Sequence, residues 1–151
     1  GEWTLPAPVL ARARTRMERP APRVALGLAL RGIASSCVDV SDGLLGDLGH
    51  ILEESRVGAQ VELGATRTLP GVGAALGEDI LLAAVLAGGD DYELLCTAAP
   101  AMRAAVARAE ALSGTRVTRI GTILADPGLR VVDDHGTPVD ASRWRSFDHF
   151  S

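Results

Sequence analysis

The chain has 151 residues, of which 47% are hydrophobic and 3% aromatic, so it can bury one core without disulfides or metal staples. Its 15 basic residues are all arginine, are dispersed along the chain, and are outnumbered by 19 acidic residues. The resulting net charge of −4 argues against nucleic acid as a partner.

The predicted elements follow from hydrophobic spacing and from the positions of Pro and Gly. In chain order, helices are expected over residues 6–18, 25–33, 43–55, 78–87 and 100–112, and strands over 36–40, 57–63, 92–97, 116–124 and 130–132. Residues 64–77 form a connection whose structure the pattern does not predict. Single helices alternate with single and paired strands, which predicts one α+β domain with three layers, α/β/α, around a mixed sheet.

The predicted helix over 43–55 is the clearest element. Its leucines and isoleucine form one apolar stripe at helical spacing. Asp47, His50 and Glu54 are assigned to the opposite, solvated side, with Asp47 and His50 as a surface pair. Residues 80–87 form the longest apolar run, which is too short to span a membrane, and the chain begins with no visible export signal. Cys37 and Cys96 lack the spacing of a metal site, so we expect buried thiols and a reducing, cytoplasmic location.

The sharpest candidate site is the sequence Val-Asp-Val-Ser-Asp-Gly at residues 38–43, where a buried strand meets the amphipathic helix. Ser41 or Asp42 could simply cap the helix, which is common, but capping does not explain Asp39 inside an apolar strand. Two carboxylates about 6 Å apart repel by roughly 3 kcal/mol at an effective dielectric of about 20. Either a cation such as Mg²⁺ or an arginine such as Arg31 could relieve that repulsion, and both remain open at this point.

Two further segments carry candidate residues. The sequence Gly-Gly-Asp-Asp-Tyr-Glu at residues 88–93 places acids where a helix ends and a strand begins, and a capped helix with a solvated turn explains it better than a ligand site does. The terminal Phe-Asp-His-Phe at residues 147–150 could dock on the core or offer a ring that stacks on a flat ligand. No nucleophile and base can be paired from spacing, so no catalytic residue is assigned.

Taken together, the motifs resemble the C-terminal domain of bacterial thiamine-monophosphate kinases, within the superfamily that includes aminoimidazole ribonucleotide synthetase. The resemblance covers residues 19–150 and rests on these motifs: Arg19-Pro20-x-Pro22-Arg23-Val24, Leu30-Arg31-Gly32, Asp39-Val40-Ser41-Asp42-Gly43-Leu44, Asp47-Leu48-Gly49-His50-Ile51-Leu52, Gly88-Gly89-x-Asp91-Tyr92-Glu93-Leu94, Ile120-Gly121 and Asp148-His149-Phe150. It implies transfer of a phosphoryl group from ATP to thiamine monophosphate with the help of Mg²⁺.

The resemblance also implies roles for single residues. Asp39 and Asp42 correspond to metal ligands, and Ser41 to a contact with the phosphates of ATP. Asp90 and Phe147 correspond to residues that hold thiamine phosphate. Asp90 stands where Glu is usual, and Phe147 stands where another aromatic residue is common, so the polar contact of Asp90 is the less secure of the two.

Residues 1–18 are expected to be a linker or connecting helix, and residues 19–151 the C-terminal domain of such a kinase. The family's N-terminal domain, which carries most of the metal ligands and forms a shared dimer barrel, does not lie within this sequence. We therefore expect its own N-terminal domain as a partner, a homodimer in the full-length protein, and negligible kinase activity from this domain alone. Another ATP-dependent synthetase of the superfamily, or a non-catalytic binding module, is the alternative.

Overall fold

The computed structural model describes residues 7–67, 77–89 and 92–144. Within them the helices are α1 (Ala7–Glu18), α2 (Val24–Ala29), α3 (Leu44–Ser55), α4 (Leu63–Thr66), α5 (Glu78–Ala87) and α6 (Arg103–Ser113). The strands are β1 (Ser36–Asp39), β2 (Gly58–Glu62), β3 (Leu94–Thr97), β4 (Gly121–Leu124), β5 (Gly128–Val132) and β6 (Pro138–Val139). Short 3₁₀ helices cover Pro100–Met102 and Ala141–Trp144.

The strands form two sheets. β1 and β3 pair antiparallel as a two-stranded ribbon, with Cys37 opposite Cys96 and Asp39 opposite Leu94. The second sheet has the order β4-β2-β5-β6, in which β2 runs parallel to β5 and antiparallel to β4. The predicted α+β class and mixed sheet are therefore confirmed, and the structure adds that the strands divide between a ribbon and a larger sheet.

The ribbon lies between two apolar clusters. Val38 and Leu95 belong to the main cluster, which is formed largely by α3, α5, β2 and β5. Leu94 and Cys96 instead pack against Leu26 of α2 and its neighbours in a second, smaller cluster that includes α6. Since successive residues of a strand point to opposite faces, the ribbon has helices on both sides, which is an α/β/α arrangement.

Several element boundaries differ from the predictions. The predicted helix over 25–33 ends at Ala29 and continues as a turn, and the predicted strand over 116–124 is a strand only from Gly121 to Leu124. Leu63 begins helix α4 rather than ending β2. β6 and the 3₁₀ helix Ala141–Trp144 were not predicted. None of the helices in the described segments is both long and apolar enough to cross a membrane.

Candidate functional site

The candidate site is the corner between β1 and α3, made of the loop residues Val40 to Gly43. Gly43 occupies the N-cap position of α3 with φ 103° and ψ 150°, and no side chain caps the helix there. The intrahelical ladder begins with the Asp47 amide, which donates to the Gly43 carbonyl at 2.9 Å. The alternative that Ser41 or Asp42 simply caps the helix does not hold, because Gly43 takes that position with a backbone conformation that suits glycine.

Asp47 fixes this loop from inside the helix. Its side chain is only 6% exposed, and its Oδ2 atom accepts hydrogen bonds from the backbone N–H groups of Ser41 at 2.8 Å and Asp42 at 3.1 Å. Its Oδ1 atom has a longer contact of 3.5 Å with the Ser41 hydroxyl. A carboxylate thus satisfies two consecutive loop amides that have no place in a helix or strand.

The sequence prediction placed Asp47 on the solvated side of α3, and this was wrong. Asp47 lies three residues after Leu44 and four before Ile51, both of which are buried. Residues at that spacing share a helix face, so Asp47 borders the apolar stripe. Helical side chains also lean toward the N-terminus, which brings this carboxylate back to the loop before the helix. The spacing and the position one turn into the helix were the available signals.

Two glycines bring the loop together with the second acidic segment. A Cβ atom added to Gly43 would lie 2.9 Å from the backbone of Ala87, the last residue of α5. A Cβ atom added to Gly89 would lie 2.1 Å from the carbonyl oxygen of Ser41. The backbones of the two segments therefore touch at positions where only glycine leaves room, which explains why both segments carry glycine.

Glu93, at the end of the second segment, links the ribbon to the N-terminal helix. It accepts hydrogen bonds from Arg23 Nε at 2.9 Å and Nη2 at 2.7 Å, and from Arg16 Nη2 at 2.6 Å. Partial burial alone would raise the pKa of Glu93, but the hydrogen bonds from Arg23 and Arg16 outweigh it and the pKa is lowered. The Glu93 carbonyl also accepts from the Val40 amide at 2.9 Å, which continues the β1–β3 pairing to the edge of the corner.

The structure brings some of the predicted site residues together. Ser41 and Asp42 are exposed neighbours on the loop. Asp39 is exposed on β1. The pKa of the nearby Cys37 thiol is raised, first by partial desolvation and second by the negative charge of Asp39. Among residues 7–67, 77–89 and 92–144, no guanidinium pairs with Asp39 or Asp42, so Arg31 does not neutralise them. Asp90 and Phe147 lie outside the described residues.

One group of three potential metal-ligating side chains occurs at the corner: Asp42, Asp47 and His50 each offer a ligand atom, and these atoms lie within 4.8 Å of one another. Asp39 is not a member of this group. The donor chemistry fits Mg²⁺ at Asp42, whose exposed carboxylate is a hard oxygen ligand. It fits less well at His50, because imidazole nitrogen is a ligand for softer metals, and Oδ2 of Asp47 is already engaged by two amides.

The fold and the site together define a class of protein: an α+β domain that presents a carboxylate and a hydroxyl from a fixed strand-to-helix loop. The comparison with family models makes this more particular. Residues 6–134 match the model described as AIR synthase related protein, C-terminal domain, and the chain belongs to this family.

Named relatives are consistent with the resemblance seen in the motifs. The thiamine-monophosphate kinase of Salmonella typhimurium is 41% identical over 134 residues, which are 88% of this chain and 41% of that protein. The crystal structure of thiamine-monophosphate kinase from Stenotrophomonas maltophilia is 42% identical with a TM-score of 0.76, and the match covers 85% of this chain and 41% of that one. The chain spans about two fifths of the length of these relatives.

A more distant solved structure supports the fold. It is described as AaThiL complexed with AMPPCP and TMP, is 24% identical with a TM-score of 0.63, and covers 89% of this chain and 41% of that one. The resemblance predicted from the motifs is thus confirmed at the level of family and fold.

Proposed function

We propose that this chain supplies the C-terminal half of the active site of an ATP-dependent kinase that converts thiamine monophosphate to thiamine diphosphate. The observation that carries the proposal is the corner at Ser41 and Asp42, where a hydroxyl and a carboxylate are exposed on a loop that is fixed on its inner side, and no described arginine pairs with that carboxylate. The 41% identity to a thiamine-monophosphate kinase supports the same chemistry.

In this proposal the corner handles the phosphates of ATP together with Mg²⁺. Asp42 is a ligand of the ion, and Asp39 on the preceding strand is a second one. The ion supplies positive charge that neutralises the phosphate oxygens during transfer. The Ser41 hydroxyl, whose contact with Oδ1 of Asp47 is long at 3.5 Å, turns to donate to a phosphate oxygen. The amides of Ser41 and Asp42 are already bonded to Asp47, so the phosphates are held by the hydroxyl and the metal rather than by these two N–H groups.

The remaining parts of the site extend beyond the described residues. We propose that Asp90 and Phe147 contact thiamine phosphate, with Asp90 reaching less far than the usual Glu. Residues 1–18 act as the connection to an N-terminal domain, and residues 19–151 form the C-terminal domain. The N-terminal domain supplies further metal ligands and the dimer contacts of a cytoplasmic homodimer. The isolated chain then has negligible kinase activity.

The test is a chimaera in which this chain is joined to the N-terminal domain of the Salmonella relative. Formation of thiamine diphosphate from thiamine monophosphate and Mg·ATP is measured for the chimaera and for two variants. We expect Asp42→Asn to lower kcat/KM by about 100-fold or more, since it removes a charged ligand from the phosphate site. The control Asp126→Asn changes an exposed carboxyl in the β4–β5 turn and should leave kcat/KM within about twofold. Equal turnover by the Asp42 variant would refute the role of this corner.

A further inference from the structure

We infer that Asp47 is the positioning residue of the corner: its carboxylate is a built-in anion that holds the loop so that Ser41 and Asp42 present their side chains to a metal-bound phosphate. This inference rests on the proposed function. It deepens that proposal by assigning a positioning role to a residue that does not itself contact the substrate. None of the motif-based roles given above falls on Asp47.

The bonding pattern carries the inference. Two consecutive amides, those of Ser41 and Asp42, donate to the same oxygen, Oδ2 of Asp47, at 2.8 and 3.1 Å. Consecutive N–H groups that converge on one point form the kind of concavity that binds anions in proteins. Here the concavity is filled by the carboxylate of Asp47, a residue that is only 6% exposed, and the loop is therefore ordered before any ligand arrives.

This arrangement also decides which groups of the loop face outward. With both amides turned inward to Asp47, the side chains of Ser41 and Asp42 are left exposed at the surface of the corner. On the other side of the loop the Ser41 carbonyl is in close approach to Gly89, which limits any movement in that direction. The loop is thus held from two sides, and of these two only Asp47 supplies charge.

A purely structural role for Asp47 makes a different prediction. An acid in the first turn of a helix stabilises it through the helix dipole, and its loss would then lower stability without affecting ligand binding. A positioning role predicts in addition that the response of the loop to Mg·ATP weakens. The two roles are separated by a readout at the loop amides.

The experiment uses the 151-residue chain itself, uniformly ¹⁵N-labelled, in three forms: the wild type, Asp47→Asn and the control Glu54→Gln. Glu54 lies on the same helix and is exposed. Hydrogen exchange of the Ser41 and Asp42 amides is measured first, and then the shifts of their resonances during a titration with Mg·ATP into the millimolar range. The melting temperature, Tm, is recorded for each form as the measure of global stability.

We expect the two wild-type amides to exchange about 10- to 100-fold more slowly than in a random coil, as suits hydrogen bonds to a charged acceptor. Asp47→Asn should remove about tenfold of this protection and weaken the Mg·ATP midpoint by about fivefold or more, because an amide offers one acceptor atom and no charge. Glu54→Gln should match the wild type within about twofold in both measurements.

Random-coil exchange of both amides in the wild type would overturn the inference, and so would an Asp47→Asn chain that binds Mg·ATP like the wild type. If Asp47→Asn does not fold, Asp47→Glu takes its place, because it keeps the charge but moves the carboxylate by one methylene; it should also weaken the Mg·ATP midpoint, and an unchanged midpoint would overturn the inference. If Mg·ATP shifts no loop resonance in the wild type while the amides are protected, the proposed function fails at this corner and the hydrogen bonds of Asp47 stand.

Discussion

Replacement of Gly89 by alanine tests the close contact that joins the two halves of the corner. The added Cβ atom would lie 2.1 Å from the Ser41 carbonyl oxygen and 3.1 Å from the Ser41 carbonyl carbon, whereas ordinary van der Waals contact begins near 3.4 Å. The neighbouring atoms are backbone, so they cannot rotate away as the end of a long side chain could. One of the two segments must move by about 1 Å, and the loop that carries Ser41 and Asp42 is one of them.

The size of the effect follows from that displacement. Overpacking of this kind costs about 1–3 kcal/mol of the free energy of unfolding. Gly49→Ala is the matched control, because Gly49 lies inside α3 and a Cβ atom there meets nothing within 4 Å. Alanine should stabilise the helix at Gly49 by about 0.5–1 kcal/mol. The two variants make the same chemical change and should move stability in opposite directions.

Urea unfolding at neutral pH measures both variants, and ¹⁵N spectra report where the chain has moved. Gly89→Ala should shift the resonances of Ser41 and Asp42, and in the chimaera described above it should reduce turnover by up to about 100-fold, as a misplacement of about 1 Å can. Gly49→Ala should leave those resonances in place. A Gly89→Ala chain as stable as the wild type, with unshifted loop resonances, would show that the two backbones are not in close contact.

Two further predictions concern ionisable groups. Glu93→Gln should lower the free energy of unfolding by about 1 kcal/mol at pH 7, since Glu93 is partly exposed at 38% and such ion pairs are screened. Because the pKa of Glu93 is lowered in the folded state, its contribution to the free energy of unfolding is present above its ordinary pKa of 4.5 and is lost as the pH falls through the lower folded value. Urea unfolding at pH 7 and pH 3 should therefore show the stabilities of the variant and the wild type converging in acid. The expectation of buried thiols is wrong for Cys37, which is exposed, while Cys96 is half-buried. Partial desolvation still raises the pKa of both thiols above the ordinary value of 9.0, so both should react with iodoacetamide severalfold more slowly than free cysteine at pH 7.5. Their contribution to stability should be lost as the pH rises through the raised values, and alkylation as fast as free cysteine by mass spectrometry would contradict this reasoning.

The sequence predicted best those elements whose ends carry their own chemical signals. The helix over 6–18 was observed as Ala7–Glu18, because Pro20 stops it. The helix over 78–87 was observed as Glu78–Ala87, although Gly88 ends it in an extended conformation (φ −71°, ψ 140°) and not as a left-handed cap. The strand over 116–124 was overestimated because its length depends on a partner rather than on its own residues. β4 pairs with β2 only from Gly121 to Leu124. Strand propensity alone does not predict where this pairing ends.

The candidate site was predicted in part for a related reason. Ser41 and Asp42 could be identified because a strand followed by Ser, Asp, Gly and an amphipathic helix is a local pattern. The contact between Gly89 and Ser41 joins residues 48 positions apart, and no local pattern reveals it. The ion pair of Glu93 with Arg23 spans 70 positions and joins two of the motifs on which the resemblance rests. Each motif indicated a local turn, but only the fold shows that the motifs touch.

The charge and the few ligands of the corner are the physical argument for the proposed second domain. Mg²⁺ takes six oxygen ligands in a near-octahedral arrangement, usually with only one or two carboxylates from protein. Asp42 is an open carboxylate here, while Oδ2 of Asp47 is committed to the loop amides. The chain has a net charge of −4, and the arginines at Glu93 are bound to a carboxylate rather than presented to a phosphate. An ATP molecule with its magnesium would therefore bind this chain alone only weakly, in the millimolar range of the titration described above. The shortage of ligands and the negative charge are the physical reason to expect that a second domain completes the site.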